Sequence, residues 1–283
     1  MRWDRDHQSE HVEDRRGQGG GGGGGGLFGL VFLLFRQFGV KGAIVGLLVV
    51  GGLALFGGSG VLGLSGSAPT PAGSAGINDA GKAFVGFVLD DAQKTWSQLY
   101  RERGKTYQPA RLVLFAGRTD SGCGAGNAAT GPFYCPRDQR VYIDLDFYQA
   151  LKDKLGAPGD FAQAYVIAHE IGHHITNLEQ NLGKGRDEGA AGGSVRVELQ
   201  ADCYAGVWAH SAKARDLLEM GDFEEAMRAA EAIGDDTLQQ AGGGVVRPET
   251  FTHGTSSQRM RWFQKGFVAG KPEACATFDA SEL

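Results

Sequence analysis

Apolar and polar positions divide the chain into three regimes. Residues 1–18 are short, polar and charge-rich, and Gly19 to Gly26 is an unbroken glycine run. Such a stretch buries too little apolar surface to fold alone, so 1–41 is expected to be a disordered tail with a Gly-rich spacer. Leu27 to Phe35 is apolar and is interrupted by Arg36 and Lys41, and no charged residue occurs between Gly42 and Asn78. About 20 apolar residues cross a bilayer as a helix, so 42–64 predicts one transmembrane span, with 65–78 a linker containing Ala68-Pro69-Thr70-Pro71. A cleaved signal peptide is the rival reading; the segment starts far into the chain and its first apolar run is broken. A buried core helix fits less well with the glycine content and the flanking linkers.

From residue 79 onward the pattern is that of a folded domain, 79–283. Asp79 to Arg103 has helical spacing, offering Phe84, Phe87, Val88, Trp96, Leu99 and Tyr100 to a core. Arg111–Gly117 and Arg140–Leu145 read as strands. Helices are predicted over 160–177, with Asp160 as its N-cap, and over 194–212, 222–233 and 256–267. The expected fold class is α+β, mainly helical, with a small sheet. As an edge strand, Val141, Tyr142 and Ile143 would hydrogen-bond an extended peptide; as an interior strand they would serve the sheet alone.

Composition narrows the class. The 283 residues carry a net charge of −5, which leaves no basic footprint for nucleic acid. Cysteines stand at 123, 135, 203 and 275, with no CxxC pair, so a cysteine-rich metal site is not expected. An even count fits two disulfides in an oxidising compartment. Cys123 with Cys135 would close a Gly-rich loop, leaving Cys203 to pair with Cys275. The basic residues Arg15, Arg16, Arg36 and Lys41 precede the apolar segment. The positive-inside rule then places the N-terminus in the cytoplasm and the domain on the extracytoplasmic side of the cell membrane.

The chemistry lies in His169-Glu170-Ile171-Gly172-His173. Residues four apart on a helix stand about 40° apart around the axis, so His169 and His173 aim at one point. Glu170 reaches a water at that point without binding the metal, the HExxH arrangement of metalloproteases. His174, about 140° from His169, falls outside the pair. A catalytic zinc keeps three protein ligands. Thr176 and Glu179 stand where HExxHxxGxxH needs Gly and His, so the third ligand is a carboxylate from elsewhere. Glu198 and Asp202 share one face of an apolar helix, with Glu198 able to bind zinc and Asp202 able to orient a ligand histidine. Glu179, Asp187 and Glu188 are the rival carboxylates, in a polar loop.

Seven stretches carry a family resemblance: 12–17 (VEDRRG), Cys123-Gly124, 131–136 (GPFYCP), 141–144 (VYID), 168–174 (AHEIGHH), 198–208 (ELQADCYAGVW) and 252–259 (THGTSSQR). Over nearly its whole length the chain resembles the bacterial putative neutral zinc metallopeptidases. The resemblance implies a membrane-anchored, zincin-like domain with one Zn²⁺ on His169, His173 and Glu198, and Glu170 as catalytic base. A looser likeness runs to the membrane heat-shock and prenyl-processing zinc proteases. Those share a Thr-His-Pro element followed by an Arg six residues past its His; here it is Thr252-His253-Gly254 with Arg259. By that likeness His253 stabilises the oxyanion; Tyr142 and Tyr204 are other candidate donors. The expected activity is hydrolysis of a peptide or protein substrate. The alternatives are a zinc amidase acting on a wall peptide and a non-catalytic envelope interaction protein on the same fold. The sequence leaves the oligomeric state open.

Overall fold

The computed structural model describes residues 1–17, 72–127 and 131–283. The apolar stretch 42–64 lies outside them. Among the described residues no helix is long and apolar enough to cross a membrane.

A four-stranded sheet runs in the order β1–β2–β6–β5, formed by Val12–Asp14, Arg111–Phe115, Arg140–Asp144 and Phe133–Cys135 respectively. β1, β2 and β6 are parallel, with Leu112 facing Val12 on one side and Val141 on the other; β5 runs antiparallel to β6. The continuous apolar run Leu112–Phe115 is buried, as a strand flanked on both sides requires. Between β2 and β5, where a plain Gly-rich loop was expected, Arg118–Ser121 (β3) and Gly124–Asn127 (β4) form a hairpin. The Cys123–Cys135 disulfide ties it to β5.

Seven α-helices accompany the sheet among the described residues: α1 (Ala72–Glu102), α2 (Asp146–Asp153), α3 (Asp160–Leu178), α4 (Gly193–Ala214), α5 (Asp222–Ala232), α6 (Asp235–Ala241) and α7 (Ser256–Ala269). α1 begins seven residues before the expected boundary, inside the stretch read as linker. Its Val85, Val88, Leu89, Ala92 and Trp96 are fully buried on one face. α3 and α4 are buried on most sides and form the centre of the domain. They cross at Gly172, where a Cβ would lie 2.6 Å from the Ala201 carbonyl oxygen; hydrogen alone permits this approach. The second disulfide, Cys203–Cys275, fastens α4 to the C-terminal segment.

The expected disordered tail is corrected for residues 1–17; residues 18–41 lie outside the described residues. Residues 1–17 wrap the domain. The Met1 ammonium lies 2.7 Å from Asp160 at the start of α3. Trp3 packs edge-on against Phe84 at 5.2 Å, and His7, Ser9 and His11 all bond Asp90 of α1. β1 extends the sheet, and Glu13 pairs with Arg140 at 2.8 Å. Polarity misled the reading because these groups find partners in residues over 70 positions away, which local composition does not report. Strand pairing also requires residues 1–17 and 79–283 to lie on one side of any bilayer. A cytoplasmic tail joined by one crossing to an external domain is incompatible with it.

A fragment starting at Asp79 should therefore be less stable than the full chain by about 3 kcal/mol, from the lost burial of Met1, Trp3 and Val12. Thermal melting compares the two, and a synthetic 1–17 peptide should restore part of the loss. Equal melting without the peptide would show the segment to be dispensable.

Candidate metal centre

α3 carries His169 and His173 one turn apart with Glu170 beside the first, and the Gly172 crossing brings Glu198 of α4 against them. His169 Nε2 lies 3.1 Å from His173 Nε2 and 3.2 Å from Glu198 Oε2, and His173 Nε2 lies 3.4 Å from Glu198 Oε1. Ligands at about 2.0–2.1 Å in a tetrahedral zinc site stand about 3.3 Å apart, so each separation matches an edge of that polyhedron, with Glu198 turning one oxygen to each histidine. The chemistry also fits: two imidazole nitrogens face one another and a carboxylate, with a cation the common partner. None of the rival carboxylates Glu179, Asp187 and Glu188 joins this group. Glu179 is bonded instead to Arg103 and Lys105.

Behind the donors is a buried charged layer. His169 Nδ1 donates to Asp202 Oδ1 at 2.8 Å, which leaves Nε2 bare toward the ligand position. Tyr165 donates to the same oxygen at 2.5 Å. Arg259, from α7, forks onto both Asp202 oxygens at 2.9 Å and reaches the Ile233 carbonyl. Burial alone would raise the Asp202 carboxyl, but Arg259 and His169 outweigh it and hold it at about 2. Burial likewise would lower His169, yet Asp202 and Glu198 lift it to about 10. Glu170 is shifted up by burial, against the pull of His173 and His169, and its Oε2 has no hydrogen-bond partner among the described residues.

These groups open onto a cleft of about 1200 Å³. One wall is β5 with its flanks (Pro132, Phe133, Tyr134, Pro136), and Val197, Thr252 and His253 line the cleft elsewhere. The expected substrate strand is thereby corrected. Val141, Tyr142 and Ile143 lie in β6, paired on one side with β2 and on the other with β5, and are buried. Alternation marks a strand but not its place in the sheet, and the edge belongs to residues 133–135.

Of the three candidate oxyanion donors, His253 alone lines the cleft. Tyr142 donates to Asp138, and Tyr204 packs against Trp96 at 5.1 Å. His253 is held by Asp235, the first residue of α6. Asp235 Oδ1 lies 3.1 Å from His253 Nδ1, and Asp235 Oδ2 accepts the backbone N–H groups of Thr252, His253 and Gly254. That hydrogen bond raises the His253 pKa above its ordinary value. Gly254 has φ +91°, which proline cannot adopt, so the Gly in place of Pro reflects a differently turned loop. Asp235 gave no signal in the sequence, and Arg259 gave only its spacing. α3 is capped in a way the sequence did not announce: Gly159 stands at the N-cap, and Glu225 of α5 accepts from Phe161 N–H at 3.0 Å.

The family described as putative neutral zinc metallopeptidase matches residues 1–278. The chain is similar to "Uncharacterized protein YpfJ" of Escherichia coli (strain K12), 46% identical over 297 aligned residues that cover 99% of this chain and 100% of that protein. It is also similar to "Uncharacterized protein Rv2575" of Mycobacterium tuberculosis, 45% identical over 190 residues covering 62% of this chain and 65% of that one. No solved structure matches the chain. With its motifs assembled around one centre and the match spanning nearly its whole length, the chain belongs to the putative neutral zinc metallopeptidase family.

Proposed function

We propose that the protein hydrolyses peptide bonds at one zinc ion held by His169, His173 and Glu198. The observation that carries this is the donor triangle, 3.1–3.4 Å on its edges, with an unpartnered Glu170 oxygen beside it in an open cleft. Zinc bound there would supply Lewis-acid polarisation and a more acidic water. Glu170 accepts the proton of the attacking water and passes it to the leaving nitrogen. Burial raises its pKa above the ordinary carboxylate value, which suits an acid–base group that must work in both directions. The bond from Nδ1 to Asp235 favours the imidazolium form of His253, whose Nε2–H would donate to the developing oxyanion. An extended substrate lies along the free edge of β5, which adds backbone hydrogen bonds without demanding a sequence.

The test is cleavage of an unfolded protein by the full chain, stopped by a chelator and restored by zinc, beside metal analysis of the parent and Glu198→Ala. About one zinc per chain in the parent and a clear loss in the variant are expected. A folded parent without zinc would remove the reading and leave a non-catalytic interaction protein in its place.

We also propose attachment to the membrane through residues 42–64, which would enter and leave the bilayer on one side, with the domain on the extracytoplasmic side. The uncharged stretch and the two disulfides support this. Residues 1–17 then share that side. Cysteines placed at exposed Asp6 and Met220 should both react with a membrane-impermeant maleimide in spheroplasts. Labelling of one site and protection of the other would contradict the arrangement.

A further inference from the structure

We infer that Tyr134 is a positioning residue that fixes the substrate-binding strand to the metal helix through His174. The inference rests on the peptidase reading above. Side chains of a strand alternate between its faces. On β5, Phe133 and Cys135 turn into a small cluster with Val113, Phe115 and Tyr142, where the Phe133 and Tyr142 rings stack at 4.8 Å. Tyr134 turns the other way, to α3. Its hydroxyl lies 3.0 Å from His174 Nδ1 and accepts from Asn177 Nδ2 at 3.0 Å.

The direction of the phenol bond follows from the third partner. His174 Nε2 lies 2.7 Å from the Gln108 carbonyl oxygen, which only accepts, so Nε2 carries a hydrogen. The Tyr134 hydroxyl accepts from Asn177 and has its own hydrogen to place, and His174 Nδ1 is the acceptor within reach, so the hydroxyl donates to it. Gln108, His174, Tyr134 and Asn177 thus form one satisfied chain of hydrogen bonds, and removal of the phenol oxygen strands the buried Nδ1.

The placement gives this chain its function. His174 directly follows the donor His173, and Tyr134 sits in the middle of the three-residue edge strand that borders the cleft. One residue further on, Cys135 is tied to Cys123. The strand is therefore held sideways by the phenol and lengthwise by the disulfide. A peptide paired with β5 inherits that position relative to Glu170. Reacting groups tolerate little displacement, since about 1 Å can cost about a hundredfold in rate.

The experiment compares Tyr134→Phe with the parent, each also in a Glu170→Gln background that binds without cutting. Binding of fluorescein-labelled oxidised insulin B chain to the zinc-loaded Glu170→Gln proteins is read by polarisation. Tyr134→Phe should weaken it about tenfold, with zinc content unchanged. With Glu170 intact, KM should rise by a similar factor and kcat should fall as well, because the bound peptide then sits off its position relative to Glu170. Asn177→Ala, which leaves the Tyr134–His174 bond in place, should give a smaller effect of the same kind. Equal affinity and KM in Tyr134→Phe and parent would overturn the inference and leave the peptidase reading standing. Loss of zinc in Tyr134→Phe would also overturn it, since the residue would then act on the metal. No peptide binding by the Glu170→Gln protein itself would overturn the peptidase reading, and this inference with it.

Discussion

Asp202→Ala should lose both stability and metal. Asp202 is fully buried and accepts from Arg259, Tyr165 and His169. Truncation leaves the Arg259 guanidinium in the interior without its counter-charge, a situation that costs about 3–5 kcal/mol. The His169 ring also loses the acceptor that fixes its tautomer, and such losses weaken metal binding about 10–100-fold. The two effects can be separated. In Asp202→Ala/Arg259→Leu the orphaned cation is gone, so denaturant melting should recover toward the parent while zinc affinity stays low. If Asp202→Ala melts and binds zinc as the parent does, the buried layer behind His169 has no such role.

Glu170→Gln should keep zinc and lose turnover. The substitution preserves volume and removes the carboxylate that accepts a proton, and general acid–base catalysis is worth about 10²–10⁴-fold. Glu170 is outside the donor triangle, so metal content should remain near one per chain. Hydrolysis of an unfolded protein, measured beside metal analysis, reads both quantities. A clean Glu170→Gln preparation that still turns over would transfer the base role elsewhere, and loss of zinc would make Glu170 a ligand.

The legible part of the site was helical. His169 and His173 repeat at one turn, as do Glu198 and Asp202, so helix geometry alone predicts which side chains share a face. Parts assembled from distant segments were not legible. Arg259 stands 57 positions from Asp202, and nothing local marks an arginine as the buried partner of a carboxylate. Asp235 organises the His253 loop from 18 positions away. Tyr142 and Tyr204 stood as alternatives to His253 because a tyrosine in a strand or helix does not declare which side of the element faces the cleft.

The edge strand and the N-terminal segment carry the same lesson on a larger scale. Alternation identified Arg140–Asp144 as a strand, but the order β1–β2–β6–β5 put it inside the sheet and gave the cleft to Phe133–Cys135. Residues 1–17 read as a solvated tail because each polar group was judged by its neighbours in sequence.

By itself the sequence determined the long helices, the two longer parallel strands and the spacing of the candidate metal-binding residues, since helix and strand periods and donor identity are local properties. The tertiary structure alone decided which strand borders the cleft, which histidine loop enters it, what neutralises Asp202, and that the first seventeen residues belong to the domain. Those outcomes depend on pairings across tens to hundreds of positions, where burial and satisfied hydrogen bonds select the partner, and local propensity carries no record of them.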